Sequence, residues 1–196
     1  MDTAFGPWAP LALGDVRHVF ARAPFRWWVT GGHALELFAG RSWRSHDDID
    51  VSVCRTDMPV LHALLDGWSQ AVAAAGALSP WSGSVLAAER HENNVWCRRS
   101  VDSPWCLDVT VADGDADAWV FRRDPRLRVP WASAVLMSAD ETPYLAPELQ
   151  LIFKSRDRRP KDDVDAAHVM PLLPDAGLEM LLRWLPVGHP WLAMLP

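Results

Sequence analysis

Apolar residues in the first third of the chain recur at two different spacings. Residues 11–22 carry them at the three- to four-residue spacing of a helix, and Pro24 is expected to end that helix. Residues 26–30 are mostly aromatic or β-branched, which predicts a short strand. Gly31 and Gly32 follow it and predict a tight turn. The chain therefore begins with a helix, a strand and a turn.

Helical and strand-like spacing continue to alternate. A helix is predicted at residues 33–39, closed by Gly40, and apolar-polar alternation over residues 48–54 predicts a second strand. A further helix is predicted near residues 57–68. More strand-like segments follow at residues 70–75, 94–98, 105–111 and 118–122.

The pattern changes after Pro143, where helical spacing dominates. Three helical segments are predicted, at residues 147–157, 161–170 and 174–184. Together these elements predict an α+β fold. We expect a mixed sheet flanked by helices over residues 1–143, followed by a small helical C-terminal subdomain over residues 144–196.

Net charge limits the expected partners. The 196 residues include 19 Lys and Arg against 25 Asp and Glu, for a formal net charge of −6. A protein that grips a long nucleic acid usually presents a basic face, so this balance argues against nucleic acid as a partner. A negative surface instead assists the approach of cationic or neutral small molecules.

The cysteines and the apolar segments of the sequence predict where in the cell the protein is found. Cys54, Cys97 and Cys106 are odd in number and lack the spacing of a zinc or redox site, so we expect free thiols in a reducing environment. No signal-peptide pattern and no apolar run of membrane-spanning length is visible. A cytoplasmic protein with no membrane association is expected.

Two carboxylates are the first candidate for chemistry. Asp48 and Asp50 lie two positions apart on a predicted strand, where alternate side chains share a face. Mg²⁺ prefers oxygen ligands and often takes only one or two carboxylates, with phosphates completing its shell. Asp47 is expected on the opposite face, in contact with solvent. The alternative for the pair is a solvated strand edge beside a turn.

The glycine pair and a third carboxylate extend this site. Gly31 and Gly32 let a phosphate approach main-chain N–H groups, and the helix after them presents an N-terminus that favours anions. Asp108 lies in a later apolar strand. If that strand neighbours the one that carries Asp50, Asp108 could bind metal and accept a proton. The alternative for Asp108 is a lone carboxylate on an edge strand.

These residues together resemble the nucleotidyltransferases of the DNA polymerase β superfamily, and within it the aminoglycoside and lincosamide adenylyltransferases. The resemblance rests on the order of motifs: the glycine pair, Arg44 to Asp50 (RSHDDID), Leu107-Asp108-Val109, residues 144–154 (YLAPELQLIFK) and Lys161-Asp162. It implies that Asp48, Asp50 and Asp108 are the catalytic carboxylates and bind Mg²⁺. It also implies ATP as donor and a hydroxyl of a small acceptor, such as an antibiotic, as target.

Four basic residues near these motifs are candidates for binding the nucleotide. Arg44 and His46 flank the carboxylates, and Lys154 and Lys161 could reach the triphosphate from the helical part. A structural salt bridge of Arg44 with Glu36 or Asp47, and ordinary surface positions for the two lysines, are the alternatives.

The acceptor is less well defined by the sequence. Drug-modifying relatives often carry an acidic residue shortly after the third Asp, whereas here the position two after it is Thr110. Asp113, Asp115 and Asp117 could hold a cationic acceptor or simply form an acidic turn. Two other functions stay open: a transferase acting on protein or RNA, for which Arg98-Arg99 and Arg122-Arg123 could form a basic groove, and a non-catalytic nucleotide-binding protein.

Overall fold

The computed structural model describes residues 2–195. Its α-helices are α1 (Leu13–Phe20), α2 (Gly31–Ala39), α3 (Met58–Leu64), α4 (Trp131–Ala134), α5 (Pro147–Ser155), α6 (Pro160–Val169) and α7 (Asp175–Trp184). Short 3-10 helices lie at Arg55–Asp57, Ala88–Arg90, Met170–Leu172 and Pro190–Met194. Within the described range, no helix is long and apolar enough to cross a membrane.

The strands include a small N-terminal hairpin and the members of one large sheet. They are β1 (Asp2–Thr3), β2 (Gly6–Pro7), β3 (Trp27–Val29), β4 (Asp50–Cys54), β5 (Ser69–Ala74), β6 (Ala77–Pro80), β7 (Asn94–Arg98), β8 (Leu107–Gly114), β9 (Ala118–Val120), β10 (Arg128–Pro130), β11 (Val135–Met137) and β12 (Pro143–Leu145). The large sheet has the order β11-β12-β3-β4-β8-β7-β5-β6, with β9 joined to β8 and β10 to β9.

The sheet is mixed, as the sequence predicts. Strand β4 runs parallel to β8 and antiparallel to β3, and β12 runs parallel to β3. A parallel neighbour requires a long crossover connection, and the residues between β4 and β8 supply it with α3, β5, β6 and β7.

Alternation along β4 and β8 separates an apolar face from a polar one. Val51, Val53, Val109 and Val111 are buried in a cluster with residues of α1 and α3. The alternate positions, which include Asp50, face the opposite side. The apolar face therefore anchors the two central strands, and the other face is left for polar chemistry.

Helices α2, α5, α6 and α7 cover the polar side. One cluster of buried residues joins Trp28 and Leu35 with Leu149, Ile152 and Leu181. The expected boundary between residues 143 and 144 falls inside β12, a strand of the large sheet. The division into two domains stays a prediction.

Several element boundaries differ from those expected. Helix α2 begins at Gly31 rather than residue 33, because Gly31 adopts a φ of +70° from which the helix can start directly after β3. Strand β4 begins at Asp50 rather than residue 48, so Asp48 lies in the preceding loop. The sequence did not predict four short elements: strands β10, β11 and β12 and helix α4. Each has only three or four residues, which is too few for a hydrophobic repeat to be recognised.

Candidate active site

Two carboxylates stand side by side on the central strands. Asp50 begins β4, Asp108 is the second residue of β8, and the two are paired in the parallel register. Side chains at paired positions of adjacent strands share a face and lie close together. Asp48 lies two residues before β4, so its position is set by the loop and not by the pleat. The structure thus brings together Asp50 and Asp108, with Asp48 near enough to influence both pKa values.

Burial makes this pair costly to ionise. Desolvation, followed by the charge of Asp48, raises the pKa of Asp50 to about 7, while Lys154 and Lys161 oppose the shift. Desolvation and the neighbouring Asp50 raise the pKa of Asp108 well above its usual range. Buried carboxylates that repel one another are stabilised by a bound cation, and oxygen donors suit Mg²⁺. The donor set therefore fits a divalent metal.

Asp108 is held in place from the neighbouring strand. The Asn94 side-chain amide of β7 donates to both carboxylate oxygens of Asp108, at 3.0 Å each. Hydrogen bonds from Asn94 and Trp96 lower the pKa of Asp108 and partly offset the effect of burial. Sequence reasoning missed both residues. Asn94 and Trp96 occupy alternate positions of a predicted strand and therefore share a face. Only the pairing of β7 with β8 shows that this face meets Asp108.

The glycine pair lets the start of α2 approach this carboxylate site. A Cβ atom on Gly31 would lie 2.3 Å from Oδ2 of Asp50. A Cβ atom on Gly32 would lie 2.0 Å from an Arg44 guanidinium nitrogen and 2.4 Å from Cε1 of His46. Both contacts are far shorter than real Cβ contacts allow, so a side chain at either position would force Asp50, Arg44 or His46 to move.

Arg44 is part of an ion-paired network with the C-terminal helices. Its guanidinium donates to both oxygens of Asp165, at 2.8 and 3.0 Å, and Asp165 is fully buried. The Trp43 indole N–H also donates to Asp165, at 2.9 Å. A structural salt bridge of Arg44 was one expectation, with Glu36 or Asp47 as the partner. The partner is instead Asp165 of α6, which is 121 residues away in the sequence.

Lys154 belongs to the same network. Its ammonium lies 2.6 Å from Asp162 and 3.0 Å from Asp165, and the side chain is buried. Lys154 also lines the cleft described below, and its charge favours the ionised form of Asp50. Lys161, at the start of α6, lines the same cleft.

His46 packs between polar groups at the start of α2. Its Nε2 lies 3.1 Å from Oε2 of Glu36, its Nδ1 lies 3.0 Å from the Arg44 guanidinium, and His33 stacks on it at 3.9 Å. Burial and His46 lower the pKa of His33 to about 4, so that ring is neutral near neutral pH. His33, Glu36 and His46 could offer ligand atoms within 4.8 Å of one another, but the adjacent cation of Arg44 opposes metal there.

A cleft of about 430 Å³ lies over the polar face of the sheet. At the end near Gly31, which we call the phosphate end, it is lined by Gly31, Gly32, Arg44, His46, Asp48, Asp50, Lys154, Arg159 and Lys161. Asp108 lies beside this end, paired with Asp50. The first-turn N–H groups of α2 and several basic side chains meet here, which suits a polyphosphate.

The other end of the cleft, which we call the inner end, is mainly apolar. It is lined by Trp28, Ala112, Trp119, Arg122, Leu145 and Phe153, together with the ion pair of Arg123 and Asp157. The hydroxyl groups of Thr30, Ser52 and Thr110 form a row between the two ends. The Ser52 hydroxyl hydrogen-bonds that of Thr110 and lies 3.5 Å from that of Thr30. The cleft therefore passes from charged groups, across hydroxyls, to aromatic walls.

Part of the chain that carries this site matches a known protein family. A family model described as aminoglycoside-2''-adenylyltransferase matches residues 12–76, a range that includes the glycine pair, Asp48 and Asp50. No curated protein sequence matches the chain significantly.

Solved structures show the same fold. The lincosamide antibiotic adenylyltransferase LnuA, with lincomycin bound, is 18% identical, with a TM-score of 0.55 and coverage of 82% of this chain and 96% of that chain. ANT(2'')-Ia in complex with adenylyl-2''-tobramycin is 13% identical, with a TM-score of 0.59 and coverage of 88% and 95%. The chain has the nucleotidyltransferase fold and resembles the aminoglycoside and lincosamide adenylyltransferases. The family match is to an adenylyltransferase model and covers about a third of the chain, residues 12–76.

Proposed function

We propose that the chain transfers AMP from ATP to a hydroxyl of a small, antibiotic-like acceptor, with Mg²⁺ held by Asp48, Asp50 and Asp108. The observation that carries the proposal is the register pairing of Asp50 with Asp108 beside the glycine start of α2. The glycines and the strand carboxylates line one cleft, which supports phosphate binding beside carboxylate chemistry. The structures of LnuA with lincomycin and of ANT(2'')-Ia with adenylyl-tobramycin support an antibiotic as acceptor.

The triphosphate would bind at the phosphate end. Gly32 brings the main chain of α2 close to the ligand, and Lys161, Arg44 and His46 add positive charge or hydrogen-bond donors. Lys154 is held by two carboxylates and acts mainly by favouring the ionised form of Asp50. Bound Mg²⁺ would neutralise negative charge on the reacting phosphates.

The transfer step is a displacement at the α-phosphorus. The acceptor oxygen forms a bond to that phosphorus, the bond to the β-phosphate oxygen breaks, and pyrophosphate leaves with the electron pair. The hydroxyl proton goes to the carboxylate of Asp108, because burial and the neighbouring Asp50 make it a stronger base than an ordinary aspartate. Asn94 orients that carboxylate through both oxygens.

An experiment on labelled ATP tests this function. The full chain is incubated with α-labelled ATP, Mg²⁺ and either tobramycin or lincomycin, and labelled product and pyrophosphate are measured. Asp50→Asn should lower transfer by about a thousandfold or more, because one charged ligand and the strand pair are lost together. The melting temperature should be kept or raised, since a buried repulsion is removed.

Asp47→Asn is the matched control. Asp47 is exposed and lies three residues before Asp50, so its change removes the same charge nearby without touching the strand pair. Transfer should stay within about twofold of the unmodified chain. Full activity in Asp50→Asn, or equal losses in both variants, would contradict the proposal.

A further inference from the structure

Among the residues that the structure describes, the inner end of the cleft carries one cation that forms no ion pair, Arg122. Arg55 is paired with Asp113 at 2.8 Å and Arg123 with Asp157 at 2.8 Å. Arg122 lies between these pairs and forms no ion pair with any residue in the described part of the chain. Its guanidinium lies 5.6 Å from the centre of the Phe153 ring. The inner end thus has a net positive charge on an aromatic wall.

A second hydrogen-bond donor at this end is also unused. Trp28 is fully buried, lines the cleft, and its indole N–H has no acceptor among residues 2–195. Burying a donor without an acceptor costs free energy, so such groups call for an explanation. Arg122 and Trp28 are both pure donors. A ligand at the inner end can supply an acceptor to Arg122, and an anion supplies the strongest one.

The acidic residues that could hold a cationic ligand nearby are already engaged. Asp113 is bound by Arg55, and Asp115 is bound by Arg128 and by main-chain N–H groups of its own turn. Thr110 stands on β8 two positions after Asp108, with its hydroxyl bonded to Ser52. This part of the cleft is therefore poorly suited to a polyamine.

Strand geometry places the inner end where an acceptor must enter. Going along β8 from Asp108, Thr110 lies about 7 Å away and Ala112 about 13 Å away, in the direction opposite to the start of α2. In a displacement at phosphorus the attacking and leaving oxygens are roughly in line. Because pyrophosphate would leave towards the phosphate end, the attacking hydroxyl would come from the inner side.

We infer that the inner end of the cleft binds the acceptor, and that the acceptor is an anionic compound with an apolar ring. Its anionic group, such as a carboxylate, meets Arg122, and its ring packs against Phe153 and Trp119. A hydroxyl on the same molecule then reaches Asp108. The inference rests on the proposed function. It predicts an anionic acceptor, whereas a polyamine is cationic.

Three matched probes test the charge preference. Para-nitrophenyl glucuronide, para-nitrophenyl glucoside and para-nitrophenyl glucosaminide share an aromatic ring and sugar hydroxyls, and carry a carboxylate, no charge and an amine respectively. Their dissociation constants are measured by calorimetry on the full chain with Mg²⁺ and a non-hydrolysable ATP analogue. The glucuronide should bind about tenfold tighter than the glucoside, because a hydrogen-bonded charge pair is worth about that much. The glucosaminide should bind weakest.

Variants of the arginine pair locate the effect. Arg122→Gln should weaken glucuronide binding by about tenfold and leave glucoside binding unchanged, and Arg122→Lys should restore part of the loss. Arg123→Gln is the control, because it removes the neighbouring charge that Asp157 already compensates. It should change glucuronide affinity less than about twofold.

Specific results would overturn the inference. These are equal or tighter binding of the glucosaminide, no binding of any probe, or an Arg122→Gln variant that loses affinity for the ATP analogue and not for the glucuronide. Each of these leaves the proposed function intact if labelled AMP is still transferred and Asp50→Asn still abolishes transfer. Loss of transfer to every acceptor would instead contradict the proposed function.

Discussion

At the scale of single residues, the carboxylates and glycines at the site depend on one another. Asp50 can stand at the start of β4 only because Gly31 lacks a side chain, since a Cβ there would lie 2.3 Å from its carboxylate. The sequence predicted both groups, one as a metal ligand and the other as a turn. It could not show that they are in contact, because 18 residues of helix and loop lie between them.

Substitution of Gly31 tests this contact. Gly31→Ala should destabilise the protein by more than about 2 kcal/mol, since a left-handed φ costs about 1–2 kcal/mol in an L-residue and the clash with Asp50 adds to it. ATP binding should be lost as well. Chemical denaturation and calorimetry measure the two effects.

Gly40→Ala is the control for backbone strain alone. Gly40 also has a positive φ, of +66°, but a Cβ there meets nothing within 4 Å. It should cost only the backbone strain of about 1–2 kcal/mol and leave ATP binding unchanged. Equal effects of the two variants would show that the close approach to Asp50 is unimportant.

At the scale of elements, Asp165 joins the loop before β4 to two helices. From α6 it binds Arg44 and Trp43 of the loop and Lys154 of α5. Hydrogen bonds from Arg44 and the charge of Lys154 outweigh burial and lower the pKa of Asp165 to about 2. One carboxylate therefore positions two of the four basic residues, Arg44 and Lys154, that the sequence assigned to the nucleotide.

Asp165→Asn should loosen this connection. Removing one partner of a buried ion pair typically costs about 3–5 kcal/mol, because the remaining charges are left buried and unpaired. The free energy of unfolding, measured in urea, gives the loss. Asp157→Asn removes an exposed partner of Arg123 and should cost less than about 1 kcal/mol.

The same residue predicts a pH dependence of stability. Because the pKa of Asp165 is lower in the folded chain than its ordinary value of 3.8, the folded state is favoured when the carboxylate is ionised. Its contribution should be complete above about pH 4 and lost as the pH falls towards 2. The unfolding free energy of Asp165→Asn should fall less steeply over that range, and identical slopes would refute the assignment.

At the scale of the whole molecule, the sheet separates structure from chemistry. One face of β4 and β8 is filled with valines against α1 and α3, and the other opens into the cleft. The three cysteines belong to the packed interior and not to the chemistry of the cleft. Cys54, Cys97 and Cys106 are free and buried, in agreement with the expectation of unpaired thiols.

The reactivity of the three thiols measures how well the folded chain shields them from solvent. Burial raises the pKa of Cys54 to about 11 and raises the pKa of Cys97 and Cys106 above their usual value. Since the thiolate is the reactive form, the folded chain should react with Ellman's reagent at about pH 8 at least about tenfold more slowly than the unfolded chain. Reaction in guanidinium should release three equivalents, and rapid reaction of the folded chain would show that these cysteines are accessible.

The sequence by itself determined the fold class and the main helices and strands, and it singled out three carboxylates as candidate metal ligands. These follow from local periodicity, from the chemistry of residue types and from the order of motifs along the chain, and none of them requires knowledge of distant contacts. The β-alternation that predicted β4, for example, is set by burial of every second residue on one face.

Only the tertiary structure decided which groups meet. It paired Asp50 with Asp108 through the register of β4 and β8, attached Asn94 to Asp108, and gave Arg44 and Lys154 a shared partner in Asp165. It also left Arg122 as the unpaired cation of the inner end. Contacts between residues far apart in sequence depend on strand order and helix packing, and these depend on the burial of the whole chain rather than on any one segment.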